Sequence, residues 1–420
     1  EFTWGQREWW ADILEEGNWW PVGGVVAVPA GRSLDDLVDE LRYRMSRFPS
    51  LRTRVRLDGD GRPRQVVAAA GVVVLDVVDA NEEDPGRLAE DLHRRYTDAA
   101  MDYATDWPIR MGVVCKAGLP THVVVLISHL VIDAAGVAAL VAQSEVRTGC
   151  PSRGRVPLEQ AVWQASAAGQ RQNAAALRYW DEVLRKAPRY RSYNPDGPDT
   201  RRYWHGEFDS YVLLPAVRAI SERTGVDTPV VFLALFAVAV HETHGVDPVV
   251  VRPMVDNRFH PGLTDVVCTA AQNAICLLDV AGRGFDDILR AAARSARRAY
   301  KHAYVDPWDV AALIDRVEAE LGMALGTHWF LNNRLGAGSS GSAHDASSPQ
   351  GVALVRSSNF AWTRYQDKLP LKGLIMQIDG IPGGVRLNLH IDTSAIRPAD
   401  AEALARRVEA IAVAQRTVRA

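Results

Sequence analysis

A chain of 420 residues suggests two or three folding units at roughly 150 residues per domain, and 47% hydrophobic with 24% charged residues is ordinary for a globular protein with substantial cores. The net charge of −3, from 48 basic and 51 acidic residues, gives no pull toward nucleic acid or an anionic membrane. The four cysteines, Cys115, Cys150, Cys268 and Cys276, are too scattered for a disulfide framework, and without a Cys-x-x-Cys pair no metal site is expected.

In chain order, the N-terminus carries Trp4, Trp9, Trp10, Trp19 and Trp20 among charges, which is not a signal peptide. Residues 34–45 have helical apolar spacing, with Ser33 as N-cap. Residues 66–78 are rich in β-branched side chains and read as strand after the turn at 58–61, and 90–100 reads as helix. Apolar runs at 111–115 and 121–127 flank a turn at 116–120, which predicts a hairpin. A helix is expected over 135–146, so 128–134 forms the turn between a buried strand and a helix, where functional groups concentrate. A composition break at 148–157 precedes a long amphipathic helix over 161–186.

The second part repeats the mixed character. Strands are expected at 202–214, 249–251, 272–280 and 384–391, and helices at 215–224, 229–243, 285–303 and 398–414. The longest apolar stretch, 226–240, is interrupted by Asp227 and Pro229 and is too short to cross a bilayer, so it reads as a buried core helix. Residues 335–350 are rich in Gly, Ser and Ala without periodicity and read as a mobile loop. Two α/β lobes follow, 1–160 and 161–420, in a soluble, cytoplasmic protein.

The informative segment is Ser128-His129-Leu130-Val131-Ile132-Asp133-Ala134-Ala135-Gly136. An imidazole at a strand end, with a pKa near 6.5, can take a proton from an amine or hydroxyl near neutral pH. An aspartate four residues on would organise the turn. The competing reading is a satisfied histidine in a buried turn. Other candidates carry less: His241-Glu242-Thr243-His244 misses metalloprotease spacing, and the glycines at 336–341 lack a phosphate loop's Lys-Ser/Thr. His302 and Asp306 fit a docking surface or a bland surface loop equally. Trp362 and Tyr365 fit the lining of a substrate tunnel or the core, and core is the better reading for aromatics.

This segment resembles the His-His-x-x-x-Asp-Gly motif of nonribosomal peptide synthetase condensation domains, within the chloramphenicol acetyltransferase-like superfamily. Trp4-Gly5-Gln6-Arg7-Glu8-Trp9-Trp10 resembles that family's opening helix, and Arg47-Phe48-Pro49-Ser50-Leu51-Arg52-Thr53-Arg54 its Arg-His-Glu-x-Leu-Arg-Thr segment. Leu177-Arg178-Tyr179-Trp180-Asp181 resembles the helix that opens the second lobe. The stretch 245–258 is similar to the strand-and-arginine segment there, and 271–280 occupies the place of the Phe-Val-Asn-Thr block. The shared order of these motifs covers nearly the whole chain.

The resemblance implies a pseudo-dimer of two chloramphenicol acetyltransferase-like α/β lobes with a tunnel between them and a carrier protein docking at each mouth. His129 is then the catalytic group, either as base or by stabilising the charged intermediate. Asp133 is structural, paired with Arg52 or Arg258, while Ser128, Ala134, Gly136 and Asn332 belong to the substrate tunnel. No metal or resident cofactor is implied, because the phosphopantetheine thioester arrives on the partner carrier protein. Two departures stand out: Ser128 replaces the first histidine, and Ala134 replaces the glycine, which would strain the turn if that position needs φ > 0.

The expected activity joins a carrier-bound acyl or peptidyl thioester to an amine in nonribosomal peptide assembly. An ester-forming variant would use an alcohol. A different class, a condensation-like domain that has lost catalysis and recruits tailoring enzymes, is suggested by Ser128 and Ala134 but does not explain the presence of both His129 and Asp133. No adenylation segment or carrier domain is recognisable in the sequence.

Overall fold

A computed structural model describes residues 1–147, 154–194, 197–198, 201–335, 357–367 and 373–416. Cys150, most of the composition break at 148–157, and the loop expected at 335–350 apart from Leu335 lie outside the described residues. Two compact units emerge: Glu1–Arg171 together with Asp256–Ala271, and Gln172–Val255 together with Gln272–Ala420. The sequence-based division at 160/161 contains no trace of the 256–271 excursion, whose composition is unremarkable for a loop.

The first unit begins with α1 (Trp4–Glu16), β1 (Pro21–Ala27), α2 (Leu34–Arg47), β2 (Thr53–Leu57), β3 (Pro63–Val67) and β4 (Asp76–Asp79). It continues with α3 (Pro85–Asp98), β5 (Ile109–Lys116), β6 (Leu119–Ser128), α4 (Ala134–Val146) and α5 (Pro157–Ala165). Its sheet runs β1-β6-β5-β4, with β4 parallel to β5 and the other pairs antiparallel. The hairpin turns at Ala117 and Gly118, both at positive φ (51° and 76°), the backbone that matches strand twist in a two-residue loop. Along β5, Met111 and Val113 enter one core and Val114 the other; Ile127 and Leu126 divide likewise on β6. Both faces of the hairpin are therefore covered, which explains its nearly continuous apolar sequence.

The expected strand over 66–78 breaks in two, at β3 and β4. Val72 and Val74 between them are 85% and 72% exposed, because this run finds no ladder partner, and β-branched composition alone does not supply one. The helix expected over 161–186 is also two: α5, then α6 (Ala167–Leu184). Ser166 interrupts it with extended backbone (ψ 162°), donating to the Trp163 carbonyl and accepting the Gly169 N–H. It thus caps one helix end and opens the next.

The second unit adds β7 (Tyr203–Ser210), α7 (Leu213–Thr224), α8 (Thr228–His244), β8 (Val249–Val255), β9 (Gln272–Asn273) and β10 (Cys276–Leu278). After these come α9 (Phe285–Lys301), α10 (Pro307–Leu321), β11 (Trp329–Asn333), β12 (Asn359–Gln366), β13 (Leu374–Ile381), β14 (Gly384–Asp392) and α11 (Pro398–Gln415). Its sheet order is β10-β8-β11-β13-β14-β7-β12, with β11 parallel to both neighbours. Helix α8 is buried from Val231 to Val240, as its all-round apolar sequence demands. Helix α10 has no counterpart in the expected elements, although Asp306 caps it by accepting the Trp308 N–H and Pro307 stands in its first turn. Asp306 is thus a buried cap. His302 ends α9 and stacks on Tyr179 at 5.0 Å. Trp362 packs against the core from β12, while Tyr365 is 40% exposed.

Among the described residues no single helix is long and apolar enough to cross a membrane. Phe236, fully buried at the centre of α8, dominates its local packing. Phe236→Ala is expected to cost about 3–5 kcal/mol, measured as a lower denaturant midpoint for the transition of the second unit.

Candidate active site

Helix α4 begins where β6 ends, and Asp133 makes that junction. Its backbone is extended (φ −112°, ψ 178°) and its Oδ1 accepts the Gly136 N–H at 2.7 Å, an N-cap. The carboxylate is 2% exposed and carries further partners. The Arg258 guanidinium donates to both oxygens, Nη2 to Oδ1 at 2.7 Å and Nη1 to Oδ2 at 3.0 Å. The Ala270 and Ala271 N–H groups donate to Oδ2 at 2.8 and 2.9 Å. Burial alone would raise this carboxyl's pKa, but the guanidinium and the converging N–H groups outweigh it and hold Asp133 below the ordinary carboxylate range. Arg258 in turn donates to the Val266 and Cys268 carbonyls.

The segment 256–271 is thereby tied to the turn. Two glycines let helices reach it: a Cβ on Gly136 would sit 2.6 Å from the Cys268 carbonyl oxygen, and one on Gly5 of α1 only 2.1 Å from that of Thr269. The Thr269 hydroxyl donates to the His129 carbonyl at 2.5 Å. The His129 N–H donates to the Trp20 carbonyl at 3.1 Å, so the backbone of His129 is fixed on both sides. Trp20 itself stands at φ 46°, a left-handed conformation rare for a bulky residue.

The His129 ring stacks on Trp9 of α1, with centroids 3.7 Å apart and planes 20° from parallel. Its Nδ1 is buried, and the ring has a hydrogen-bonding interaction with its own backbone. No hydrogen bond among the described residues uses Nε2, which keeps accessible surface, and the residue as a whole is partly buried. Desolvation lowers the imidazole pKa to about 4, against the opposing attraction of Asp133 and of its own backbone. A neutral imidazole with one accessible nitrogen is chemically a proton acceptor.

The other expected site residues fall as follows. Arg52 does not reach Asp133; it donates to the carbonyls of Ala68, Met45 and Ser46 and braces the end of α2. Ser128 is fully buried, bonded to the Tyr103 hydroxyl at 2.7 Å and the Trp19 carbonyl at 3.2 Å, so its side chain fills the interior. Ala134 is the first residue of α4 and is not among the positive-φ positions, so the strain expected of alanine there does not arise. Gly136 is buried. Asn332 belongs to the second unit, partly buried on β11 and in register with Gln377 of β13. Trp9, Trp20 and Thr269 were missed as site residues. Trp9 lay inside a recognised motif, but nothing in spacing paired it with His129, and Thr269 carries no sequence signal.

Removing one partner of a buried, hydrogen-bonded ion pair strands the other charge. Arg258→Met is therefore expected to cost about 3–5 kcal/mol. In a double-mutant cycle read by denaturant unfolding, Asp133→Asn combined with Arg258→Met should cost less than the sum of the two single changes. Additive costs, agreeing within about 0.5 kcal/mol, would show that the two side chains do not depend on each other.

The condensation-domain family model matches residues 5–355. A condensation domain associated with chain release from the enacyloxin polyketide synthase has a TM-score of 0.76 at 17% identity, covering 100% of this chain and 84% of that one. The SgcC5 protein of Streptomyces globisporus gives 0.72 at 16% identity, with 98% of each chain covered. The first condensation domain of the calcium-dependent antibiotic synthetase, complexed with a substrate analogue, gives 0.69 at 17% identity, covering 98% of this chain and 94% of that one. At these identities the likenesses establish the fold. No curated protein sequence matches the chain. The matched span reaches into both units and includes the whole His129–Asp133 turn, and the chain belongs to the condensation-domain family, acyltransferases that form amide or ester bonds.

Proposed function

We propose that this chain joins a carrier-bound acyl or peptidyl thioester to an amine, with His129 as the group that takes the amine's proton. The observation that carries the reading is the His129 imidazole, neutral and with Nε2 accessible. Condensation domains work on carrier-bound substrates. In this reading the phosphopantetheine arm is part of the substrate, brought by the partner carrier.

The chemistry balances as follows. The amine nitrogen attacks the thioester carbonyl, a C–N bond forms, and the nitrogen's excess proton passes to His129 Nε2. The C–S bond then breaks, and the proton is returned to the departing thiolate. Asp133 takes no proton, because its lone pairs are already engaged by Arg258 and three backbone N–H groups; it holds the turn. Ser128 and Gly136, both buried, shape that turn from inside. Ala134 and Asn332, both partly buried, are assigned to substrate contact. Much of the rate comes from holding two tethered reactants together. A recruiting domain without catalysis would have no use for a desolvated, partly accessible histidine, and in this reading the chain works in the cytoplasm.

The test is intact-mass detection of product from acyl-loaded donor carrier and a panel of amine acceptors, with alcohols as a separate arm. Wild type should form an amide, and His129→Ala should fall by roughly a hundredfold or more. Ester as the only product would replace the amine by an alcohol, and carrier binding without transfer to any acceptor would favour the recruiting role. The pH profile is a second check. The folded pKa of His129 lies below the unfolded value of 6.5, so the neutral, working form persists below pH 6.5, and the acid limb of kcat/KM should fall there. By the same linkage, its contribution to stability is present above pH 6.5 and is lost as the pH falls toward about 4. An acid limb at or above 6.5 would exclude a desolvated His129 as the titrating group.

A further inference from the structure

In the second unit, β14 divides its side chains between two faces of the sheet. Leu387, Leu389 and Ile391 enter the core, while Arg386, Asn388 and His390 alternate on the opposite face. His390 pairs in register with His205 of β7, and the two imidazoles stack with centroids 4.4 Å apart and planes 27° from parallel. The carboxylates of this face are already matched. Arg334 binds Asp379 through two nitrogens, Asn388 donates to the same carboxylate, and Arg386 pairs with Asp209 and Glu207. His205 is held by Asn388 and, at Nδ1, by the Thr363 hydroxyl at 3.0 Å. The His390 ring, partly buried, has no hydrogen bond among the described residues.

The edge strand β12 adds an unmatched charge. Its register against β7 shifts, with Trp362 opposite Gly206 and Arg364 opposite His205, so Thr363 is the extra residue of a β-bulge. Regular alternation would send Thr363 and Arg364 to opposite faces, and a bulge re-aims them. Both reach the histidines: the Thr363 hydroxyl meets His205, and the Arg364 charge acts on both rings. Trp362 and Tyr365, on either side, pack instead on Trp204 at the core face. Arg364 is exposed and has no ion pair among the described residues. Burial, and then the charges of His205, Arg334 and Arg364, push the His390 pKa down to about 3, so its ring is neutral near pH 7 and has an N–H to donate. A free guanidinium beside such a ring and a hydroxyl is complementary to an anion, and its planar fork fits a carboxylate.

We propose that His390, Arg364 and Thr363 form a carboxylate site on the polar face of this sheet, and that its ligand is a small amine acceptor with a free carboxylate, such as an amino acid. The site itself stands on these residues alone. The choice of ligand rests on the reading of the chain as amine-acylating, and on Asn332, assigned to substrate contact, which lies in one cross-strand row with Gln377 and Asn388 of this face. An amino acid held by its carboxylate keeps its amine free to react, whereas an aminoacyl thioester has no α-carboxylate to offer.

The experiment has a binding arm and a turnover arm. In the first, the whole chain with ring-labelled histidine is titrated at pH 7 with acetate and, separately, with inorganic phosphate, and followed by NMR. His390→Phe, which keeps a ring to stack on His205, identifies the resonance. Acetate is expected to shift the His390 and His205 signals saturably. Arg364→Met should weaken acetate by about tenfold or more, and Arg364→Lys, which keeps the charge, should recover part of that loss. No saturable shift, or an Arg364→Met that binds acetate within about twofold of wild type, overturns the site; phosphate binding in preference to acetate overturns its assignment to carboxylates. In the second arm, the standard amino acids are compared as acceptors with their methyl esters on acyl-loaded carrier. For the amino acid that reacts best, the ester should show a KM about tenfold higher or more, and Arg364→Met should remove that difference. An ester as good as its acid overturns the ligand assignment. The two readings fail separately: acetate binding without acyl transfer to any amine ends the amine-acylating reading and supports the site, which is read without turnover.

Discussion

The Asp133–Arg258 ion pair is the constraint on which the turn from His129 to Asp133 depends. Two buried charges cost several kcal/mol to desolvate, and their attraction repays this only where geometry is good and the remaining lone pairs are used. Both conditions hold: the guanidinium is bidentate, and three backbone N–H groups take up the rest of the carboxylate. The pair also joins two stretches 125 residues apart in sequence, so the loop 256–271 belongs to the first unit through this interaction as much as through packing of Val267 in its core. Gly5 and Gly136 serve the same join, since any side chain at either position would strike a carbonyl of that loop. The pair and the Thr269 hydroxyl, which donates to the His129 carbonyl, both tie the loop to the turn.

A consequence is that the carboxylate of the motif is unavailable to the histidine of the motif. In a Ser-His-Asp arrangement the acid orients the imidazole and stabilises its cation. Here the acid is spent on structure, and the imidazole is left desolvated, with its pKa lowered to about 4. A base so depressed is weak but is never lost to protonation near neutral pH. Its proton affinity rises only to the extent that the site favours the cation, which Asp133 and the ring's own backbone do, with the Trp9 indole stacked on its face.

The sequence was most legible where a local rule and the tertiary context agree. The β5–β6 hairpin, the buried helix α8 and the start of α4 all follow from short-range patterns, and the His129–Asp133 segment sits at the junction those patterns define. Legibility failed where a pattern needs a partner that sequence cannot name. The valines at 72 and 74 have strand composition but no neighbouring strand. Ser166 breaks what periodicity reads as one helix, because capping is a matter of one hydroxyl and not of spacing. For Asp133 the sequence left two arginines open, Arg52 and Arg258. Arg52 turns instead to the carbonyls of Ala68, Met45 and Ser46, a pairing that no sequence spacing distinguishes from one with Asp133.

The two departures from the family motif take on a different weight once their surroundings are known. Alanine in place of glycine after the aspartate is neutral, because that residue is the first of a helix, where alanine is the best helix former. Serine in place of the first histidine is smaller, and its hydroxyl is used three times, by Tyr103, by the Trp19 carbonyl and by the Leu130 N–H. That network binds the end of β6 to the segment carrying Trp19 and Trp20, and Trp20 supplies the carbonyl that receives the His129 N–H. Ser128 thus stabilises the backbone from which His129 projects, without approaching its ring. Neither substitution removes a group that the proposed proton transfer requires, so the features that first suggested a silent domain are accounted for by structure.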